Sequence, residues 1–344
     1  PAVNLIGDTI EYSMNVLPRT NPVSICGYHI RESGATPAQE IGYAILIANA
    51  YIDNVLKRGY DVDDFVGRFS FNLNVFGNIW EQVAKFRAAR KLWARNLKEK
   101  YGVKKDSNMY LRGLFGGGGY GLTKAQPENN IMRGAYYALS AALAGAQTIA
   151  LCSYDEAYTI PTPHSAIISL RTLQLLMDEI GLRDTVDPLA GSYFIETITK
   201  EMEAKIEEEM GKIEKVGGIV QAVATGYVQR LVSQQAYEYE KGLQSGELKK
   251  VGLNIYTEGE PMEVELHEYT GESAEKQIEA LKQLRRERND REVTRTIKEL
   301  ETATRAGKNV MPCLVEACKA YATVGEMARV FRDVFGEFEE PGLF

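Results

Sequence analysis

Four segments of the chain carry the apolar, β-branched and small-residue character of buried strands. Each is followed by a longer segment whose apolar positions recur with a helical period. The strand-like segments are VSICGYHI (23–30), RFSFNLNV (68–75), MYLRGLF (109–115) and QTIALCS (147–153). Their starts recur at roughly forty residues, the repeat of an α/β barrel. The pattern predicts an α/β fold of the (β/α)8 TIM-barrel type, of which this chain supplies about four β/α units. Half a barrel leaves unpaired strand edges and an open interior, so the other half is expected from elsewhere. In such barrels chemistry sits at the carboxyl ends of strands, which draws attention to Tyr28, His29, Asn72, the glycines 116–119, Cys152 and Glu156.

Helices are expected over 1–20, 36–58, 78–100, 129–143 and 165–180. The second opens on Thr36-Pro37-Ala38-Gln39, a cap, a proline suited to the first turn and a glutamine closing a capping box. The third has a basic outer face. Beyond Asp187-Pro188 the pattern changes. Residues 191–199 read as a short extended piece, and helices follow over 200–216, 219–224, 229–242, 274–306, 311–321 and 324–335. A short strand is expected near 251–256. The densely charged stretch 277–305 alternates acids with bases and reads as a solvated, salt-bridged helix. The division is therefore 1–196, half of a barrel, and 197–344, a mostly helical linker or docking region.

Composition narrows the function. The chain has 344 residues and a net charge of −7. No basic stripe points to nucleic acid, and no apolar run suits a membrane span. The start resembles no secretory signal; lacking methionine, it is either a processed terminus or the edge of a fragment. Cys26, Cys152, Cys313 and Cys318 show no C-x-x-C spacing, which fits reduced thiols in a cytoplasmic protein. His29, His164 and His267 make no metal-ligand pattern.

Several residues could carry chemistry. His29 can donate a hydrogen bond to a substrate carbonyl, or simply be satisfied by nearby backbone. Tyr28 can wedge against a substrate. The four glycines lack the ending of a P-loop and the spacing of a dinucleotide fingerprint, which favours a tight turn that leaves open volume. Arg68 and Arg112 lie in strand-like segments, where they would pair with a barrel carboxylate or clamp an anionic ligand. Glu156 would accept a ribose hydroxyl or cap a helix.

Six segments together carry a resemblance. They are SICGYHIRESGAT (24–36), RFSFNLNVFG (68–77), VAKFRAARKLWA (83–94), LTKAQPENNIMR (122–133), GAQTIALCSYDEAYTIPT (145–162) and VDPLAGSYFIETIT (186–199). With them the chain resembles the methylmalonyl-CoA mutase family of adenosylcobalamin-dependent acyl-CoA mutases, isomerases that rearrange a carbon skeleton by a radical route. The likeness runs from about residue 1 to 337 and covers the second half of the family's barrel and the linker behind it. It implies that His29 bonds the migrating thioester carbonyl and that Tyr28 lines the substrate pocket near the corrin. Arg68 and Ser70 would contact the coenzyme A chain, and Gln147 and Glu156 would lie near the cofactor.

Departures from the family's pattern are also legible. Its R-x-H-x-Q-T-S-G run stands here as RGLFGGGG, so Leu114 and Gly116 replace a histidine and a glutamine beside Arg112. Asn72 replaces a phenylalanine at the coenzyme A side, and Cys152 an asparagine near the adenosyl site. An apolar, roomier wall suits an acyl group bulkier or more apolar than methylmalonyl. Two alternatives remain at this level, methylmalonyl-CoA mutase itself and a non-catalytic structural subunit. The D-x-H-x-x-G signature for the cobalt ligand is absent from the sequence. The resemblance thus implies a separate cobalamin-binding subunit or domain, a partner segment with barrel strands one to four, and an oligomer that assembles around an acyl-CoA substrate.

Overall fold

The computed structural model describes residues 1–259 and 263–341. The helical region expected over 197–344 includes residues 260–262 and 342–344, which lie outside that range. The described chain is α/β. Its strands are β1 (Val23–Cys26), β2 (Phe69–Val75), β3 (Gly113–Gly117) and β4 (Thr148–Leu151), ordered β1-β2-β3-β4 in one sheet. The β2–β3 and β3–β4 pairs are parallel. Among the described residues, β1 and β4 each have one neighbour and form the two edges.

Chain contacts separate two compact units. One comprises Pro1–Val23, Tyr51–Phe65 and Glu268–Glu340; the other comprises Ser24–Ala50, Val66–His267 and the terminal residues. The first is helical. It contains α1 (Ala2–Val16) and α4 (Val62–Phe65), and its core gathers Leu300, Val310, Ala317, Met327 and Val330 with Leu5. Arg58 ties it together, bonding Asp8 at 2.6 Å and Glu11 at 2.7 Å.

The second unit holds the sheet. Alternation along each strand sorts its side chains onto two faces. One face is apolar and covered. Phe71 of β2 packs edge-on to Trp93, with ring centroids 5.0 Å apart, and Phe115 of β3 stacks on Phe86 at 4.3 Å. Both partners come from α5 (Ile79–Lys100), whose cap Asn78 accepts from the Trp80 and Glu81 amides. The other face carries Ser70, Asn72 and Asn74 on β2, Leu114 and Gly116 on β3, and Thr148 and Ala150 on β4. The register aligns them in rows, Asn72 with Leu114 and Thr148, and Asn74 with Gly116 and Ala150. This polar, small-residue face would point into a closed barrel.

The strands are shorter than the apolar patterns suggested. Gly27 stops β1, and Tyr28–Glu32 forms a helical turn, α2, with Arg31 N bonded to Gly27 O and Ser33 N to His29 O. Tyr28 and His29 are therefore helical residues and not strand residues. Arg68 lies in a 3-10 turn ahead of β2. Arg112 and Gln147 precede β3 and β4.

The helices follow the periodicity closely. α3 (Pro37–Leu56) opens on the expected capping box, with both reciprocal Thr36–Gln39 bonds. α6 (Asn129–Leu143) and α7 (Pro163–Asp178) follow. Residues 191–199 are not extended. Ser192 caps α8 (Tyr193–Lys215), and Ile195, Thr199, Met202, Ile206 and Ile213 are buried along it at helical spacing. The basic face of α5 forms a ladder to α8: Arg87 pairs with Glu196, Lys91 with Glu203 and Arg95 with Glu207. Next come α9 (Ile219–Ala224) and α10 (Tyr227–Ser245). The strand near 251–256 reduces to one bridge between Val251 and Ile255. In the first unit the single helix expected over 274–306 is two, α11 (Glu272–Glu287) and α12 (Asp290–Arg305). They divide at extended Arg288, and Asn289 caps the second. α13 (Met311–Lys319) and α14 (Val324–Phe335) complete the described elements.

Candidate functional site

The carboxyl end of the sheet gathers a connected cluster. A helical turn places residues four apart on one side, so α2 presents Tyr28 and Glu32 together over the open face. The Tyr28 hydroxyl lies 3.8 Å from Cys152 Sγ. Its ring lies against Gly116: a Cβ there would stand 3.0 Å from Tyr28 Cε2. The expected open volume at Gly116 is thus filled by Tyr28, and the glycine is what lets the ring lie so close.

Glu32 organises the turn after β3. It accepts from the Tyr120 amide at 2.9 Å and, through its other oxygen, from the Asn74 side-chain amide. Gly119 faces Glu156, Glu32 and Cys152, whose atoms would lie 3.4, 3.5 and 3.9 Å from a Cβ placed there. His29 is exposed, its Nδ1 3.4 Å from Cys26 Sγ and its ring edge-on to Tyr28 at 5.8 Å.

A buried ion pair underlies this rim. Glu40 and Lys85 are both fully buried and 2.9 Å apart. Glu40 also accepts from the Asn74 amide at 2.6 Å, and Lys85 donates to the Asn74 carbonyl. The Asn74 backbone is held from both sides, which fixes the end of β2. Burial lowers the Lys85 ammonium and Glu40 opposes that shift.

Burial dominates the electrostatics of the rim. It raises the Tyr28 phenol, with Cys152 and Glu32 adding to the shift. Burial and then Glu156 push the Cys152 thiol up to about 11. Burial, then Asp155 and Glu32, raise the Glu156 carboxyl. At neutral pH the phenol and thiol stay uncharged. The site offers weak donors and carboxylate acceptors, with no strong nucleophile.

The other sequence candidates lie elsewhere. Arg68, Arg112 and Gln147 sit at the amino ends of their strands, and the structure does not bring Gln147 to Glu156. Arg112 and Gln147 are exposed; Arg68 and Ser70 each keep a partner. Asn72 and Leu114 lie between, side by side on the open face. Leu114 is 37% exposed, and Asn72 Oδ1 is buried with no hydrogen-bond partner among the described residues. Glu32 and Asn74 were missed as site residues. Glu32 stood in the GYH-x-x-E motif, but a strand reading of 23–30 hid its relation to Tyr28. Among the described residues no group of three or more His, Cys, Asp or Glu side chains is placed to hold a metal ion, and no helix is long and apolar enough to cross a membrane.

The sequence profile of the family described as "Methylmalonyl-CoA mutase" matches residues 1–337. The chain is 36% identical over 346 residues to "2-hydroxyisobutanoyl-CoA mutase large subunit" of Aquincola tertiaricarbonis, covering 100% of this chain and 62% of that protein. It is 35% identical over 340 residues to "Methylmalonyl-CoA mutase" of Rhizobium meliloti (strain 1021), covering 98% and 48%. It is 32% identical over 339 residues to the mitochondrial methylmalonyl-CoA mutase of Homo sapiens, covering 98% and 45%. The chain thus spans between 45% and 62% of the length of these relatives.

Proposed function

Because the chain belongs to the methylmalonyl-CoA mutase family, we propose that it is one component of an adenosylcobalamin-dependent acyl-CoA mutase acting on a branched or otherwise bulky acyl group. The observation that carries this reading is the open face of the sheet. A row of small and polar side chains runs along it from Ser70 to the Tyr28–Gly116 contact. Asn72 Oδ1 on that face is a buried acceptor awaiting a donor, which an amide N–H of a coenzyme A chain would supply. Arg68, Ser70 and Arg112 at the amino ends suit the phosphate-bearing part of such a ligand. In this reading His29 at the opposite end would bond a thioester carbonyl, and Tyr28 would wall off the reacting carbons from water.

The rim also fits the adenosyl group. Gly119 leaves room where a Cβ would approach Glu156, Glu32 and Cys152. Glu156 and Glu32 would accept ribose hydroxyls there. When bound, adenosylcobalamin supplies the carbon-centred radical that starts the rearrangement. The residues of this chain orient the thioester, keep the phenol and thiol neutral and exclude water.

The substrate follows from Leu114, Gly116 and Tyr28. Leu114 gives an apolar wall. Tyr28 is drawn toward β3 by the missing side chain at Gly116, which widens the space on the ring's other side. A branched, uncharged hydroxyacyl thioester, like the one named for the Aquincola relative, suits this apolar wall better than a charged dicarboxylate.

Completion of the site needs more chain. Among the described residues β4 has one free edge, and α7 behind it leaves Ile167, Leu170, Leu175 and Met177 exposed. Barrel strands one to four would cover that edge and the edge of β1. A cobalamin-binding subunit or domain would close the carboxyl end. In this reading residues 1–196 supply the half-barrel, residues 197–344 the linker, and the assembly is a cytoplasmic oligomer.

The test is turnover by the assembled enzyme, with adenosylcobalamin, of 2-hydroxyisobutanoyl-CoA against methylmalonyl-CoA. Preference for the former by about tenfold or more is expected. Equal rates on both, or a preference for methylmalonyl-CoA, would overturn the substrate assignment. No turnover of any acyl-CoA by the complete assembly would overturn the function.

A further inference from the structure

One face of α10 reaches the rim of the sheet from outside the half-barrel. Val228, Val232, Ala236 and Tyr239 follow one another at steps of four, four and three residues, which places them on one side of the helix. The first two anchor it. They are buried in a core with Ala35, Tyr43 and Leu46, so the start of α10 is fixed to the corner between α2 and α3. The next two meet the turns that build the rim. Ala236 lies against Gly34, just beyond Glu32: a Cβ on that glycine would stand 2.5 Å from the Ala236 Cβ, and its φ of +110° suits glycine alone. Tyr239 meets the turn after β3, its ring 5.3 Å from that of Tyr120.

That turn has little of its own to hold it. Five of the six residues 116–121 are glycine, and Tyr120 carries the one side chain. Glycine gives up more backbone freedom on ordering than any other residue, so contacts from outside can grip the turn only through its backbone or through Tyr120. Three such contacts converge there. The Tyr120 ring lies 5.3 Å from Phe76, at the end of β2, as well as beside Tyr239. Its amide donates to Glu32 at 2.9 Å, and Glu32 also accepts from the Asn74 side chain. Its carbonyl lies 3.5 Å from Lys250 Nζ, in a segment folded back on α10 through Leu248 N to Gly242 O at 2.9 Å and the Asn254 side chain to Leu243 O at 2.8 Å.

We propose that Tyr239 is a positioning residue for the site: its ring holds Tyr120, and Tyr120 fixes Glu32 and the glycine turn that faces Cys152 and Glu156. The chain beyond residue 196, which the sequence pattern marks as a linker, is then part of the scaffold that shapes the rim. The effect on turnover rests on the mutase reading; the effect on the turn does not.

The test is hydrogen exchange at the Tyr120 amide of the whole chain, with amides inside α5 as the internal reference, together with turnover of the assembled enzyme. Tyr239→Ala should speed exchange at Tyr120 about tenfold and leave the α5 amides within about twofold. Turnover should fall about tenfold, with the KM for acyl-CoA held within about twofold. Tyr239→Phe keeps the ring and should restore both. Tyr239→Leu, which keeps apolar bulk but no ring, reads the same loss should the alanine variant fail to fold. Unchanged exchange at Tyr120 in the ringless variants would overturn the proposal, and so would faster exchange with full turnover, or equal acceleration of the α5 amides. Absence of turnover in the unaltered assembly would count against the mutase reading instead, and the exchange rates would still decide whether Tyr239 holds the turn.

Discussion

The two ends of the same sheet differ in how far the chain itself builds them. At the carboxyl end, Tyr28 meets Cys152, and Glu32 joins Asn74 to the turn after β3, with the end of β2 braced by Glu40 and Lys85. At the amino end, Arg68, Arg112 and Gln147 lie just ahead of three different strands. Under the proposed mutase function, a radical reaction would need fixed geometry and exclusion of water where bonds change, so the reacting end would have to be preorganised. A flexible ligand tail can gather dispersed cations as it binds. The contrast therefore fits a division of labour, chemistry at one end and anchoring at the other.

The largest expected effect tests the brace. Lys85→Met leaves the Glu40 carboxylate buried and unpaired, and removes the donor to the Asn74 carbonyl. A loss of about 3–5 kcal/mol in unfolding free energy is expected, read by chemical denaturation. A loss near that of a surface ion pair, below about 1 kcal/mol, would mean the carboxyl end is no more rigid than the other. The next effect tests the chemistry. His29→Ala should lower turnover of the assembled enzyme by about 10²–10³-fold while leaving the denaturation midpoint in place, because His29 is exposed, with its ring against Tyr28 and Cys26. Unchanged turnover would remove His29 from the thioester.

How much of this was legible in the sequence depends on the element. The bounds of α6, α9 and α14 were readable residue for residue from apolar periodicity, and at α14 the Thr323–Glu326 capping box agrees with it. The phase of β2 was readable too: the candidates Ser70 and Asn72, with Leu114 and Gly116 on β3, share one face. β1 was misread because its apolar run continues through Ile30, whereas Gly27 ends the strand and begins a helical turn. That one error hid Glu32, which joins Tyr28 only when the two are four apart on a helix. The start of α8 was misread for a similar reason, since YFIETIT alternates like a strand and the cap at Ser192 decides otherwise. The contact between Tyr28 and Gly116 joins segments nearly ninety residues apart in sequence, and local pattern has no access to it.

That contact supplies a smaller prediction. Gly116→Gln puts a side chain into the place of the Tyr28 ring, whose Cε2 would lie 3.0 Å from the new Cβ. The ring must move back toward the barrel axis. The preference between 2-hydroxyisobutanoyl-CoA and methylmalonyl-CoA should then shift toward methylmalonyl-CoA, whose carboxylate the new amide can bond, by about 10–100-fold, measured as the ratio of kcat/KM values. An unchanged ratio would mean that the position of Tyr28 does not set the pocket.

The smallest effect is expected at the amino end, and it sharpens the comparison most. Gln147 resembles a cofactor-side residue by its motif, yet it lies ahead of β4, exposed, with Thr148–Leu151 between it and Cys152. A strand of four residues spans about 13 Å at 3.3 Å per residue, too far for a glutamine side chain to reach the rim at Glu156. Gln147→Ala should change unfolding free energy by no more than about 0.5 kcal/mol and leave adenosylcobalamin affinity within about twofold. Glu156→Gln, at the other end of the same strand, should weaken that affinity by at least about tenfold. A loss of cofactor binding in Gln147→Ala would show that the amino end of β4 approaches the cofactor in the assembly, and the division between the two ends would have to be redrawn.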